Sequence, residues 1–167
     1  MDFKESIGQV EESKEYKSFI KKNPHYYLVH AFIIVEDGNS GNWQIGYYSK
    51  DTDKIVIFEP SGGIILVHPE EEALKKEEYI QRLEIEKIKI KHNEALSITS
   101  DLMTENYKYD LASKYIILLQ SLPEFGQIWN VTVITANFSV INVKIDAVSG
   151  DVVKHEKQNL MQWNSKG

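Results

Sequence analysis

The sequence predicts an α+β protein built from two tandem repeats, each a helix packed on an antiparallel sheet of three to four strands. Three observations predict it. Trp43 and Trp129 each open a run in which β-branched and aromatic residues alternate with polar ones, the pattern of a half-buried strand. Ser61-Gly62 and Ser149-Gly150 punctuate both copies further on. The landmarks recur in the same order at an offset of about 87 residues, the mark of an internal repeat.

In the first copy, Tyr16, Phe19 and Ile20 share one helical face. Pro24 biases Asn23 away from the α region, so that helix ends near Lys22. The apolar run from Tyr27 to Val35 reads as a buried strand, too short to cross a membrane. A long hairpin loop, 36–42, leads to the strand Trp43 to Tyr48. After a turn at Asp51-Thr52-Asp53 come Ile55 to Glu59, the Ser61-Gly62 turn and Ile64 to His68. Glycine supplies the positive φ of such hairpins, so Gly62 and Gly150 require no functional explanation.

Between the copies, Pro69 to Leu83 begins with proline and three glutamates and becomes basic later, which predicts a connecting helix. Ile85, Ile88 and Ile90 among lysines predict a short edge strand protected against aggregation. The second copy then has a helix carrying Ala95, Leu96, Ile98, Thr99, Leu102 and Met103 on its apolar face. Strands follow at Tyr115 to Gln120, Trp129 to Ile134, Ile141 to Asp146 and Val152 to His155. The units divide as 1–78, with the connecting helix, and 79–167.

With 167 residues, 42% of them apolar, and nine Tyr, six Phe and three Trp, the chain can build a core. Units of about 80 residues are marginal alone and gain by packing together. The net charge is −6, and of 19 basic residues only Arg82 is arginine. A nucleic-acid binder needs a concentrated basic face and arginine forks, so no nucleic acid is expected as partner. Without cysteine, disulfide, thiolate and iron–sulfur chemistry are excluded. The N-terminus lacks the basic start and apolar run of a signal peptide. The expectation is a soluble, cytoplasmic protein without a membrane span, or an extracytoplasmic one if a leader has been removed.

Lys91-His92-Asn93-Glu94-Ala95-Leu96-Ser97-Ile98, Trp129-Asn130-Val131-Thr132 and Ile145-Asp146-Ala147-Val148-Ser149-Gly150-Asp151-Val152-Val153 carry a resemblance. From Lys89 to His155 the chain resembles the PepSY domain family, matching its helix entry, its strand after the first hairpin and its closing Asp-Ala-x-Ser/Thr-Gly-Asp/Glu-Val pattern. The first copy resembles it through the repeat, with Phe58-Glu59-Pro60 where Asp-Ala would stand. The resemblance implies small helix-plus-sheet modules that bind or restrain other proteins and carry no catalytic residues. The tandem arrangement is similar to the architecture of the β-lactamase inhibitor protein, a fold-level analogy.

No residue pattern points to chemistry. Histidines 25, 30, 68, 92 and 155 lack the spacing of a ligand pair. Glu70, Glu71 and Glu72 fit a first helical turn, and the residues after Asp51 lack the glycine and distal glutamate of a calcium loop. There is no nucleophile elbow and no phosphate-binding glycine loop. Neither metal nor cofactor is expected, and no catalytic residue is assigned. The sequons at Asn130 and Asn137 lie in or beside strands, and glycosylation would require export.

Trp43, Tyr47, Tyr48 and Trp129 are the candidate interaction surface, with Trp163 a further aromatic near the C-terminus. Each is either core or a binding anchor, because one sheet face takes the helices while the other is left to be covered or to bind something. Tyr47 and Tyr48 must point to opposite faces of a regular strand. The expected function is noncatalytic binding or inhibition of an unknown protein or peptide through a sheet face or edge. The alternatives are a small-ligand site or unassigned enzyme in a cleft between the repeats, and self-association into a homodimer.

Overall fold

Phe3, Ile7 and Val10 recur at helical spacing and are all buried, which turns a charged N-terminal segment into the amphipathic helix α1 (Phe3–Glu12). The computed structural model describes residues 1–74 and 78–159; Trp163 lies outside them. Ser13 accepts from the Tyr16 amide and starts α2 (Lys14–Lys22), which ends before Pro24 as the sequence predicts. The third helix, α3, spans His92–Asn106, with the Glu94 carboxylate accepting from the Lys91 amide at 3.1 Å.

The strands are β1 (Tyr27–Glu36), β2 (Asn39–Ser40), β3 (Gln44–Ser49), β4 (Lys54–Ser61), β5 (Ile64–Val67) and β6 (Glu71–Glu72). They continue with β7 (Ala112–Leu122), β8 (Gly126–Thr135), β9 (Ser139–Asp146) and β10 (Val152–Asn159). Together they form one antiparallel sheet in the order β10-β9-β8-β7-β1-β3-β4-β5, with β2 on β1 and β6 on β4. The fold is α+β. Two antiparallel meanders, β1-β3-β4-β5 and β7-β8-β9-β10, meet through the β1–β7 pair at the centre, where Ala31 lies opposite Leu119 and Val35 opposite Tyr115.

The helices cover one face. Its core runs unbroken across the β1–β7 junction: Ala31, Ile33, Ile45, Tyr47 and Phe58 on one side, Ile117, Leu119, Trp129, Val131, Val143 and Ile145 on the other. Phe3 of α1 touches both Trp43 and Trp129, at ring-centre distances of 6.2 and 5.3 Å. That shared burial answers the marginal stability of a half-sized unit.

Two expectations are corrected. The connecting helix does not form across Pro69 to Leu83 among the described residues, and 75–77 lie outside them. Glu71 and Glu72 instead pair with Ile55 and Lys54 as β6. Beyond β5, the edge of β4 has unmet backbone groups, and pairing there satisfies them; the Ala73 amide donates to the Asp53 carbonyl just below. The proposed edge strand at Ile85 to Lys91 is also absent. Ile85–Lys87 is a 3₁₀ turn, and the amides of Lys89 and Ile90 both donate to the Ala147 carbonyl.

Residues 78–80 run as a strap over the far side of the sheet, with Ile80 in the cluster there, and the chain then crosses so that Leu83 joins the helix-side core. The Tyr27 hydroxyl donates to the Ile80 carbonyl at 2.5 Å, and the Leu83 amide to the Leu28 carbonyl at 2.9 Å. Arg82 lies 4.7 Å from the Tyr27 ring centre, and Lys50 lies 3.9 Å from that of Tyr79, cation–π contacts that hold the strap down. Among the described residues no helix is long and apolar enough to cross a membrane.

Candidate functional site

Strand β1 is apolar on both faces, so alternation decides what is left in the open. Ala31 and Ile33 point to the helices and are buried; Phe32 and Ile34 point away and are half-buried. In β7, Ile117 and Leu119 point inward while Ile116 and Leu118 point away. The register sets Phe32 opposite Leu118 and Ile34 opposite Ile116, making a four-residue apolar patch at the centre of the face without helices.

Polar groups rim this patch. On the β8–β9 side, Asn142 donates to Asn130 at 2.6 Å and to Thr132 at 3.2 Å, and Lys144 donates to Asn142 at 2.6 Å. Glu36 and Lys114 pair at 3.6 Å at one end. On the β4 side, Glu59 accepts from Asn42 at 3.0 Å and lies 2.7 Å from the His68 ring nitrogen. The lower part of the same face is closed: Tyr27, Val29 and Tyr48 form a separate small cluster with Ile55, Ala73 and Ile80.

The four aromatic residues expected at the interaction surface are all interior. Trp43, Tyr47, Tyr48 and Trp129 are each no more than 3% exposed. Trp43 and Trp129 lie under the helices, their indole N–H groups donating to the Met1 and Ile90 carbonyls. Tyr47 packs on Tyr16 and Phe58, and burial followed by the nearby Glu11 carboxylate pushes its phenol well above the ordinary value. Tyr48 does point to the opposite face from Tyr47, but the strap lies over it and its hydroxyl is bonded to Asp53 at 2.5 Å. The residues left open on that face are Phe32 and Ile34, inside the run read from sequence as a buried strand, and Ile116 and Leu118, inside the run Tyr115 to Gln120.

The histidines are dispersed. His25 is 3.8 Å from Asp51, His68 bonds Glu59, and His155 bonds the Tyr107 hydroxyl at 2.7 Å. The ring of His30 lies over Gly46, where burial lowers its pKa to about 4. Among the described residues no three metal-ligating side chains cluster. A groove of about 900 Å³ lies on the helix side, lined by α1, the β4–β5 hairpin and the start of α3. His92 sits at its wall, edge-on to Trp43 with ring centres 5.0 Å apart, and burial lowers its pKa.

No family model matches the chain, and no curated protein matches it significantly. Among solved structures it is similar to a "putative lipoprotein" from Clostridium difficile 630, with 14% identity and a TM-score of 0.54 over 86% of this chain and 90% of that one. At that identity the likeness concerns the fold.

Proposed function

We propose that the chain is a noncatalytic binding protein made of two PepSY-like repeats, which holds a partner protein on the open face of its sheet. The observation that carries this reading is the Phe32, Ile34, Ile116 and Leu118 patch inside a ring of amide, hydroxyl and charged groups. An apolar centre with a polar rim is the anatomy of a protein interface. The partner's chemistry follows from it: a folded protein presenting an apolar loop whose flanking backbone can bond to the Asn130–Asn142 and Glu59–His68 groups. A strand-rich, two-meander sheet joined at β1–β7 is what a tandem repeat with matching landmarks would build, and it supports the repeat and the unit boundary near 78. Likeness to a protein called a lipoprotein is compatible with work outside the cytoplasm.

The test places a photo-crosslinking residue at position 118 or, as control, at exposed position 101. The proposal expects one partner crosslinked from 118 and not from 101, and lost in Phe32→Asp/Leu118→Lys at unchanged melting temperature. Crosslinking equally from both positions, or undiminished capture by the double variant, overturns it. Tyr47→Ala and Tyr48→Ala are unsuited to the purpose because both would open the core.

The groove beside His92 favours a second reading, a small-ligand site. It expects a metabolite panel to raise the melting temperature of the wild type and not of His92→Ala; no shift from any compound removes it.

A further inference from the structure

The two edges of the sheet differ in chemistry. The edge strand β10 carries Lys154, Glu156 and Lys157, charges that discourage another strand from pairing there. At the other edge, Ser61 to Val67 is uncharged, and Ile64, Leu66 and Val67 are 60%, 42% and 48% exposed. An exposed, apolar, uncharged edge of this kind is a template for pairing.

Among the described residues no strand pairs with its outer side, and the hydrogen-bonding groups left there can be assigned. The His68 amide donates to the Ile57 carbonyl at 2.9 Å, and in the register Leu66 lies opposite Glu59 and Ile64 opposite Ser61. Antiparallel pairing alternates, so residues 64, 66 and 68 bond inward to β4 while Ile65 and Val67 turn N–H and C=O to the open edge. The two-residue Gly62-Gly63 turn, with φ of +57° and +86°, has the backbone of a type I′ hairpin, whose closing Ser61–Ile64 pair is hydrogen-bonded, in agreement with this phase.

We infer that β5 pairs with β5 of a second copy of this chain, antiparallel about a two-fold axis through Ile65. In that register the two Ile65 residues exchange both backbone hydrogen bonds. Ile64 of each copy lies beside Leu66 of the other on one face, and Val67 lies opposite Gly63, so no charge meets a like charge. A register shifted by one residue is disfavoured, because it would set side chains on mismatched faces. A strand of four residues buries little area, so the dimer is in exchange with monomer rather than permanent.

The absence of cysteine makes the register testable. Sedimentation velocity of the full chain from micromolar to near-millimolar concentration should show the average mass rising toward twice the monomer. Leu66→Lys should abolish the rise and Val153→Lys, on the β10 edge, should keep it. Ile65→Cys should form a disulfide-linked dimer under mild oxidation, and Val153→Cys should not. A chain that stays monomeric throughout, a rise that survives Leu66→Lys, or equal crosslinking from both cysteines overturns the inference. The Ile65→Cys arm is independent of the open-face partner, since Ile65 packs against the helix-side core, whereas Leu66 stands opposite the rim residue Glu59.

Discussion

The imidazole of His30 occupies the space above the α-carbon of Gly46, its neighbour across the β1–β3 pair. A Cβ at position 46 would lie 2.5 Å from Nε2 and 2.7 Å from Nδ1 of that ring, so glycine is needed here for close approach rather than for its backbone freedom. Gly46→Ala forces the ring aside and should cost about 2 kcal/mol. The cost belongs to the pair: in a His30→Ala background the same change should be nearly neutral, and urea unfolding of the four-member cycle measures the coupling. Equal losses in both backgrounds would show that the ring is not what excludes the methyl.

The same ring gives the fold an acid sensitivity. Burial lowers the His30 pKa from 6.5 to about 4, so the native state favours the neutral form. Stability from this group is fully present above pH 6.5 and is lost as pH falls toward 4, because the unfolded chain takes up the proton first. Since His30 keeps some exposure on the open face, the loss is on the order of 2 kcal/mol. His30→Phe should remove that part of the acid slope, and subtracting its stability curve from that of the wild type cancels the carboxylates that titrate in the same range.

Much of the fold was legible because it is written locally. The long strands of both meanders, the turns at Gly62 and Gly150 and the end of α2 before Pro24 follow from alternation, turn residues and proline. Helix α1 is written just as locally, in the helical spacing of Phe3, Ile7 and Val10. What alternation cannot reveal is which face a long-range partner will close. Tyr48 is covered because Ala73 and Ile80, later in the chain, fold back over it, and Glu71 is a strand residue because β4 has an edge left to fill. The β1–β7 pairing that exposes Phe32 and Leu118 brings together residues far apart in sequence, and no periodicity within either strand encodes it.

Trp129 joins the second meander to α1 and to the segment before α3. It is fully buried, its indole N–H donates to the Ile90 carbonyl at 2.8 Å, and Phe3 meets it edge-on. Trp129→Phe leaves that carbonyl without its donor and opens a small cavity, at a cost of about 2–3 kcal/mol. Differential scanning calorimetry should show one transition at a lower temperature. Two separated transitions would mean that the halves unfold independently despite the shared core.

Asp110 sets a test of how β10 is held. Its side chain is 4% exposed and accepts from Lys157 at 2.7 Å and from Asn137 at 3.3 Å, whereas Lys157 is 38% exposed. Replacing the lysine leaves a buried carboxylate short of its cation, while replacing the acid by its amide removes the charge and frees the lysine to water. Lys157→Met should therefore destabilise more than Asp110→Asn, by about 1 kcal/mol after allowance for solvent around the lysine. The double variant should be close to Asp110→Asn alone, since Lys157 has then lost the carboxylate it served. Urea midpoints order the three proteins. The reverse order would mean that Asp110 matters chiefly as the acceptor for Asn137, tying the end of the β8–β9 hairpin to the residues before β7 rather than anchoring the edge strand.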